Sequence, residues 1–262
     1  MSFHIIVPVK QVPDIEKVKF DVETGRIDRS SAPGETNPFD LNALEAALQI
    51  KERYGGFITA ISMGPLQAES TLKDALARGA DRAILLSDSR FAGADTLATS
   101  YTLACAIKKI GSFDLIICGE KTVDGDTGQV GPELAEHLGI PHTAYVCEIR
   151  DILDGKIRVI ADFGDAYYLV ELDLPALITV TKDINVPRLP KLKDKLKAKK
   201  AEILIWTVDD LADVADVNRL GFAGSPTYVH KIEIPQEKIR KCQFLNGVEE
   251  LAEILRQKGF LK

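Results

Sequence analysis

Nothing in the 262-residue sequence approaches the roughly 18 consecutive apolar residues that a membrane-spanning helix needs, so no membrane insertion is expected. The start, Phe3-His4-Ile5-Ile6-Val7-Pro8-Val9, lacks a basic segment followed by a long apolar one. Export is therefore not expected, and a cytoplasmic location is. Cys105, Cys118, Cys147 and Cys242 are far apart, with no Cys-x-x-Cys pair. That spacing suits neither zinc nor an iron-sulfur cluster, and the thiols read as small packed hydrophobes. His4, His137, His142 and His230 do not cluster either, so no metal site is expected. Missing too are a Gly-x-Ser-x-Gly elbow, a His-Glu-x-x-His pair and a Walker A ending. These absences favour a chain that positions a cofactor over one whose side chains make and break bonds.

What is present is an ordinary globular composition, 45% hydrophobic with a net charge of -6. A chain this long buries enough surface to need no staples. Strand-like and helix-like segments alternate through the first two thirds. Residues 3–9 read as a buried strand, and a polar loop is expected to about residue 36. Asn37-Pro38 opens a helix stopped by Gly55-Gly56, because Asn caps well and Pro suits the first helical position. Strands are expected over 57–63, 82–86 and 113–118, and helices over 67–78, 95–107 and 129–138. The alternation predicts an α/β fold: a doubly wound, mostly parallel sheet with helices on both faces. Ligands of such sheets bind beyond the carboxyl ends of the strands. After residue 141 strands predominate (146–152, 156–162, 167–173 and 175–180), with Asp154-Gly155 as a hairpin turn. They predict an antiparallel extension. A C-terminal arm with one amphipathic helix, 248–258, follows. The division expected is residues 1–205 as the α/β domain and 206–262 as the arm.

The most informative stretch is Gly119-Glu120-Lys121-Thr122-Val123-Asp124-Gly125-Asp126-Thr127-Gly128-Gln129-Val130-Gly131, which follows a strand and opens a helix. Its glycines and short hydroxyls suit a phosphate at a helix N-terminus. Asp124 and Asp126 would repel that phosphate, so they are expected to face ribose hydroxyls, backbone or solvent. A polar surface loop is the plainer alternative. At Asn37 and at Asp95-Thr96, helix capping is the favoured role, and at Met63 packing is. Residues 182–200 carry eight Lys or Arg against two Asp, a net +6 that leaves -12 elsewhere. The acidic remainder and the lack of aromatics in this segment argue against nucleic acid. A solvated loop-helix or a docking arm for an acidic partner remains.

Several segments together resemble one family. They are Val7-Pro8-Val9-Lys10-Gln11-Val12-Pro13-Asp14, Asn37-Pro38-Phe39, Ser62-Met63-Gly64-Pro65, Ala75–Arg82, the Gly119–Gly131 loop, Pro187-Arg188 and Lys197-Ala198-Lys199-Lys200. In this order and at this length the sequence resembles the beta subunit of electron transfer flavoproteins. The resemblance implies an adenine nucleotide alpha hydrolase-like fold and an obligate heterodimer with an FAD-carrying alpha subunit. The nucleotide site would be lined by Pro8, Val9, Asn37, Phe39, Asp40, Met63, Gly64 and Gly119 through Val130. Asp95, Thr96 and Thr99 would lie beside a flavin. Leu189, Leu192, Lys195, Leu196 and Lys197 would meet a partner, with Leu192 the apolar anchor. In one branch of the family the ligand is AMP. In the electron-bifurcating branch it is FAD, reduced by NADH, with ferredoxin or flavodoxin and a flavin dehydrogenase of acyl-CoA, enoyl-CoA or 2-hydroxyacid type as acceptors. The small residues of 93–99 and 124–132 resemble the second branch. The sequence departs from the family pattern at Tyr168, where a Glu is expected. A nucleotide-sensing module is the alternative from another class.

Overall fold

The computed structural model describes residues 3–14, 19–21, 26–28, 34–230 and 242–261. The first strand, β1 (Phe3–Pro8), takes the centre of the sheet because Ile5, Ile6 and Val7 are apolar on both faces and fully buried. The expected polar loop instead holds four short strands: β2 (Gln11–Pro13), β3 (Lys19–Asp21), β4 (Arg26–Asp28) and β5 (Gly34–Thr36). β2 pairs with β5, and β3 with β4, both antiparallel. Residues 15–18, 22–25 and 29–33 of that loop lie outside the described residues.

The alternating part follows the expectation. Helix α1 (Pro38–Tyr54) ends at Gly55, whose φ of 75° suits glycine. It is followed by β6 (Gly56–Met63), α2 (Glu69–Arg78), β7 (Arg82–Leu86), α3 (Thr96–Ile110), β8 (Leu115–Gly119) and α4 (Val130–Leu138). Boundaries move by a residue or two. The helix expected from Gln67 starts at Glu69 after a short 3-10 turn, and the strand expected from Phe113 starts at Leu115. The later part contains β9 (His142–Leu153), β10 (Lys156–Asp162), β11 (Tyr167–Asp173), β12 (Ala176–Val180), α5 (Leu192–Lys199), β13 (Leu204–Trp206) and α6 (Val248–Gln257).

Nine strands form one sheet in the order β11-β10-β9-β12-β8-β1-β6-β7-β13. It is parallel from β9 to β13, and β9, β10 and β11 form the antiparallel extension. The chain runs outward from β1 through β6 to β7, then returns to the other side of β1 as β8. α1 and α2 pack with one core cluster, and α3 and α4 with the other, on the opposite face. The sheet is thus doubly wound, and its topological switch point lies between β1 and β8. The sequence division at residue 205 falls inside β13. Val208, Leu211 and Leu220 beyond it are buried in the core cluster that contains the inner side of α3.

Candidate functional site

The crevice at the switch point is built by close approach of backbone. Gly119 ends β8 directly against the start of α1. A Cβ there would stand 2.6 Å from Asp40 Oδ1 and 2.7 Å from the Phe39 carbonyl carbon, so only glycine fits. Gly131, in the first turn of α4, lies so close to Thr179 of β12 that a Cβ would overlap its methyl group. Asn37 is fully buried and precedes α1, yet its side chain does not cap the helix. Its Nδ2 donates to the Lys121 carbonyl at 2.9 Å, and its Oδ1 accepts from Val123 N–H at 3.1 Å. The capping expectation is therefore corrected: Asn37 holds the 119–131 loop in place. Asp95 does cap, its Oδ1 accepting from Ala98 N–H at 3.0 Å.

Asp40 lies beneath this crevice. Its Oδ2 accepts from Lys10 N–H at 2.8 Å. Burial pushes its carboxyl up to about 7, against the opposing pull of hydrogen bonds from Asn37, Lys10 and Gly119 and the charge of Lys10. Beside it the fully desolvated Cys118 thiol is pushed far up by burial and then by Asp40, which leaves it inert. Val9 is also inward: its side chain sits in the core, so it can offer a ligand only backbone. Pro8 and Met63 are partly buried at the ends of β1 and β6, and Gly64 N–H donates to Leu86.

The two loop aspartates answer to two lysines. Lys10 Nζ reaches both oxygens of Asp124 at 2.9 Å, and Lys121 Nζ meets Asp126 at 2.8 Å. The repulsion expected toward a phosphate is thereby offset in place. Asp126 and Gly128 both have left-handed backbone (φ 52° and 65°), so the loop curls before α4 begins. The first N–H groups of α4 have no acceptor within the helix and point out of its N-terminal end. Thr122, Gly125, Thr127, Gln129 and Val130 complete this rim at intermediate or full exposure.

A second group of candidates gathers where α3 and α4 begin. Thr96 Oγ1 lies 3.4 Å from Gln129 Oε1 and 3.1 Å from Glu133 Oε1, and Ser100 Oγ lies 3.3 Å from Glu133 Oε2. Burial raises the Glu133 carboxyl, opposed by these hydroxyls. The sequence reading missed Glu133. Its position one turn into α4 was visible, but its partners on α3 were not. Asp95, besides its cap, accepts from Thr227 N–H at 3.0 Å and Thr227 Oγ1 at 2.8 Å. That carboxylate therefore ties the C-terminal segment to α3. Thr99, partly buried, donates its N–H to the Asp95 carbonyl.

Phe39, Glu120 and Lys121 also line an open cleft of about 700 Å³ between the end of β8 and the antiparallel extension. Across it stand Tyr145, Phe163 and Tyr167. Tyr145, Phe163 and Tyr168 form an edge-to-face ladder with ring centres 5.9 and 5.4 Å apart. Glu120 and Lys121, which follow Gly119 in the loop, thus belong to the wall of this cleft.

A family model described as the electron transfer flavoprotein domain matches residues 24–211. The chain belongs to the electron transfer flavoprotein family, among the beta subunits and FixA proteins. It is 46% identical over 236 residues to the electron transfer flavoprotein subunit beta of Clostridium acetobutylicum, covering 90% of this chain and 89% of the relative. It is 44% identical to the subunit beta of Thermoanaerobacterium thermosaccharolyticum, with 96% of each chain covered. It is 43% identical to the caffeyl-CoA reductase-Etf complex subunit CarD of Acetobacterium woodii, over 89% of this chain and 88% of the relative.

In this electron transfer flavoprotein chain the basic segment is an outward feature. Leu189, Leu192 and Leu196 are 85%, 74% and 58% exposed, and Lys195 and Lys197 are exposed between them. Helix α5 nonetheless packs against α2, with Ala198 buried. In α6 none of the residues is buried. Among the described residues no group of three or more His, Cys, Asp or Glu could hold a metal ion, and no helix is long and apolar enough to cross a membrane.

Proposed function

We propose that this chain is the beta subunit of an electron-bifurcating electron transfer flavoprotein and holds FAD in the crevice between β1 and β8. The observation that carries the reading is the arrangement at the topological switch point: Gly119 packed on α1, the loop pinned by Asn37, and the starts of α3 and α4 brought together at Thr96, Gln129 and Glu133. The residues present fit an adenine dinucleotide. The N–H groups at the start of α4 and the lysine-balanced loop suit a pyrophosphate, and Thr122 and Thr127 offer hydroxyls. Gly93, Ala94 and Gly125 are small residues near Asp95 and Thr96, with Phe222 packed against Gly93, and their resemblance to the FAD-holding branch supports FAD over AMP. FAD held there would supply the redox chemistry, with NADH as the hydride donor and ferredoxin or flavodoxin and, through the alpha subunit's FAD, a flavin dehydrogenase as the electron acceptors.

The chain's own residues bind and orient. Asn37 fixes the loop, Lys10 and Lys121 neutralise Asp124 and Asp126, and Thr96 with Glu133 sets the spacing between α3 and α4. The 182–200 arm presents Leu192 as an apolar anchor among lysines, which suits an acidic dehydrogenase surface. The name of the Acetobacterium woodii relative, a subunit of a caffeyl-CoA reductase complex, supports an acceptor of the acyl-CoA or enoyl-CoA class. The apolar side of α6, with Val248 and Leu251 exposed, supports packing of the C-terminal arm on the alpha subunit. The test is a cofactor count on the purified heterodimer. Two FAD per heterodimer and NADH-dependent bleaching are expected. One FAD with one AMP refutes bifurcation, and a colourless protein without adenine refutes the nucleotide site as well.

A further inference from the structure

The root of the docking arm is clamped to the same helix that begins at the crevice. Asn42 and Glu45 of α1 are polar, five-hundredths exposed, and turned toward residues 182–188 and not toward water. Asn42 Nδ2 donates to the Asn185 carbonyl at 3.0 Å, and Asn185 Nδ2 donates back to the Asn42 carbonyl at 3.0 Å. Arg188 Nε and Nη2 donate to the two oxygens of Glu45 at 2.8 and 2.9 Å, and its backbone N–H adds a third bond at 3.1 Å. The same guanidinium reaches Glu52, about two turns further along the same helical face, at 3.1 Å. Arg78 of α2 donates to the Arg188 carbonyl at 2.6 Å. Burial alone would raise the Glu45 carboxyl, but Arg188 outweighs it and holds it below the usual range. One residue past this clamp, Leu189 is 85% exposed.

An ion pair between the buried Glu45 and the partly exposed Arg188 contributes little net stability compared with an apolar pair of similar size, so its value here is directional. A forked guanidinium held by two carboxylates admits one orientation of the chain that carries it. We propose that Asn42, Glu45 and Glu52 of α1 are positioning residues for partner docking, which through Asn185 and Arg188 set the direction in which residues 189–200 present Leu189, Leu192 and Leu196. Glu45 lies five residues, about 7.5 Å along the axis, from Asp40 at the crevice. The docked partner is thereby held at a fixed offset from the cofactor site. This inference rests on the docking role given to the arm above.

The test uses the flavin-loaded heterodimer, an acyl-CoA dehydrogenase that accepts electrons from the wild type, and limited trypsin digestion at the arm lysines. Glu45→Gln and Arg188→Gln are each expected to raise KM for the dehydrogenase about five-fold through the ordering cost returned to the arm, with flavin content unchanged. Both should speed cleavage at Lys191 to Lys200. Glu52→Gln, at the exposed end of the clamp, should do the same more weakly and guards against a folding defect at Glu45. Leu192→Ala should raise KM without speeding cleavage. If Leu192→Ala raises KM and Arg188→Gln does not, the clamp is refuted and the docking arm stands. If Leu192→Ala leaves KM unchanged, the docking role falls and takes the purpose of the clamp with it.

Discussion

Replacing Asp40 by Asn is the sharpest probe of the crevice floor. The carboxyl stands at about 7 in the folded chain against an ordinary value of 3.8, because burial penalises its charged form more than Lys10, Asn37 and Gly119 favour it. The folded value is raised, so between about pH 4 and pH 7 the native chain holds a proton that the unfolded chain has released. Stability contributed by this group is complete below pH 4, is lost as pH rises through that window, and stays lost above it. Three units at about 1.4 kcal/mol each set the loss at roughly 4 kcal/mol. An amide at this position carries no charge at any pH and keeps one oxygen to accept from Lys10 N–H. The variant should therefore lack the decline. Its advantage over the wild type should grow from nothing near pH 4 to about 2–4 kcal/mol above pH 7.5. Urea unfolding of the chain, followed through its single tryptophan, Trp206, measures this across pH. Parallel pH profiles for the two proteins would show that Asp40 is ionised and comfortable where it lies, and the reasoning about the buried floor would fail.

Gly119→Ala should destabilise the fold by about 1–3 kcal/mol and lower the adenine-nucleotide content of the purified protein, because the new Cβ meets α1 backbone that cannot yield. Asn37→Ala leaves Lys121 C=O and Val123 N–H without their partner; a loss of about 1–3 kcal/mol and weaker nucleotide retention on dialysis are expected. Raising salt from 50 to 300 mM should slow electron delivery to an acidic dehydrogenase severalfold while leaving flavin content intact, and an unchanged rate would remove the electrostatic part of the docking reading. A thiol reagent should label the exposed Cys242 at once and Cys118 only on unfolding, since burial both hides the latter and suppresses its thiolate.

The parts of the fold that were legible in the sequence are those governed by neighbours along the chain. Alternating apolar runs and helix stops marked β1 through α4. Asp154-Gly155 marked a hairpin turn, and both residues have positive φ (52° and 76°). Asp95 marked a cap. The parts that were not legible depend on distant partners. β13 is three residues long and exists because β7 offers an open edge. β9 begins four residues earlier than expected because His142 and Thr143 pair in parallel with β12 before the same strand turns to β10. β2 and β5 meet across 20 intervening residues and are too short to show a period. At the site, the residue types of the 119–131 loop were informative. Its lysine counter-charges, the use of Asn37 as a pin and the pairing of Glu133 with Thr96 needed coordinates.

The arm leaves the sheet after β12 and returns to it as β13, strands that lie five positions apart. At about 4.8 Å per strand the excursion bridges roughly 24 Å over the α1 and α2 side. Both of its ends are stitched into the sheet, and its outward residues contribute nothing to the core. Leu189 through Lys197, none of them buried, can therefore be rewritten without touching the hydrophobic core. Grafting the arm of one relative onto another tests the docking role proposed for it.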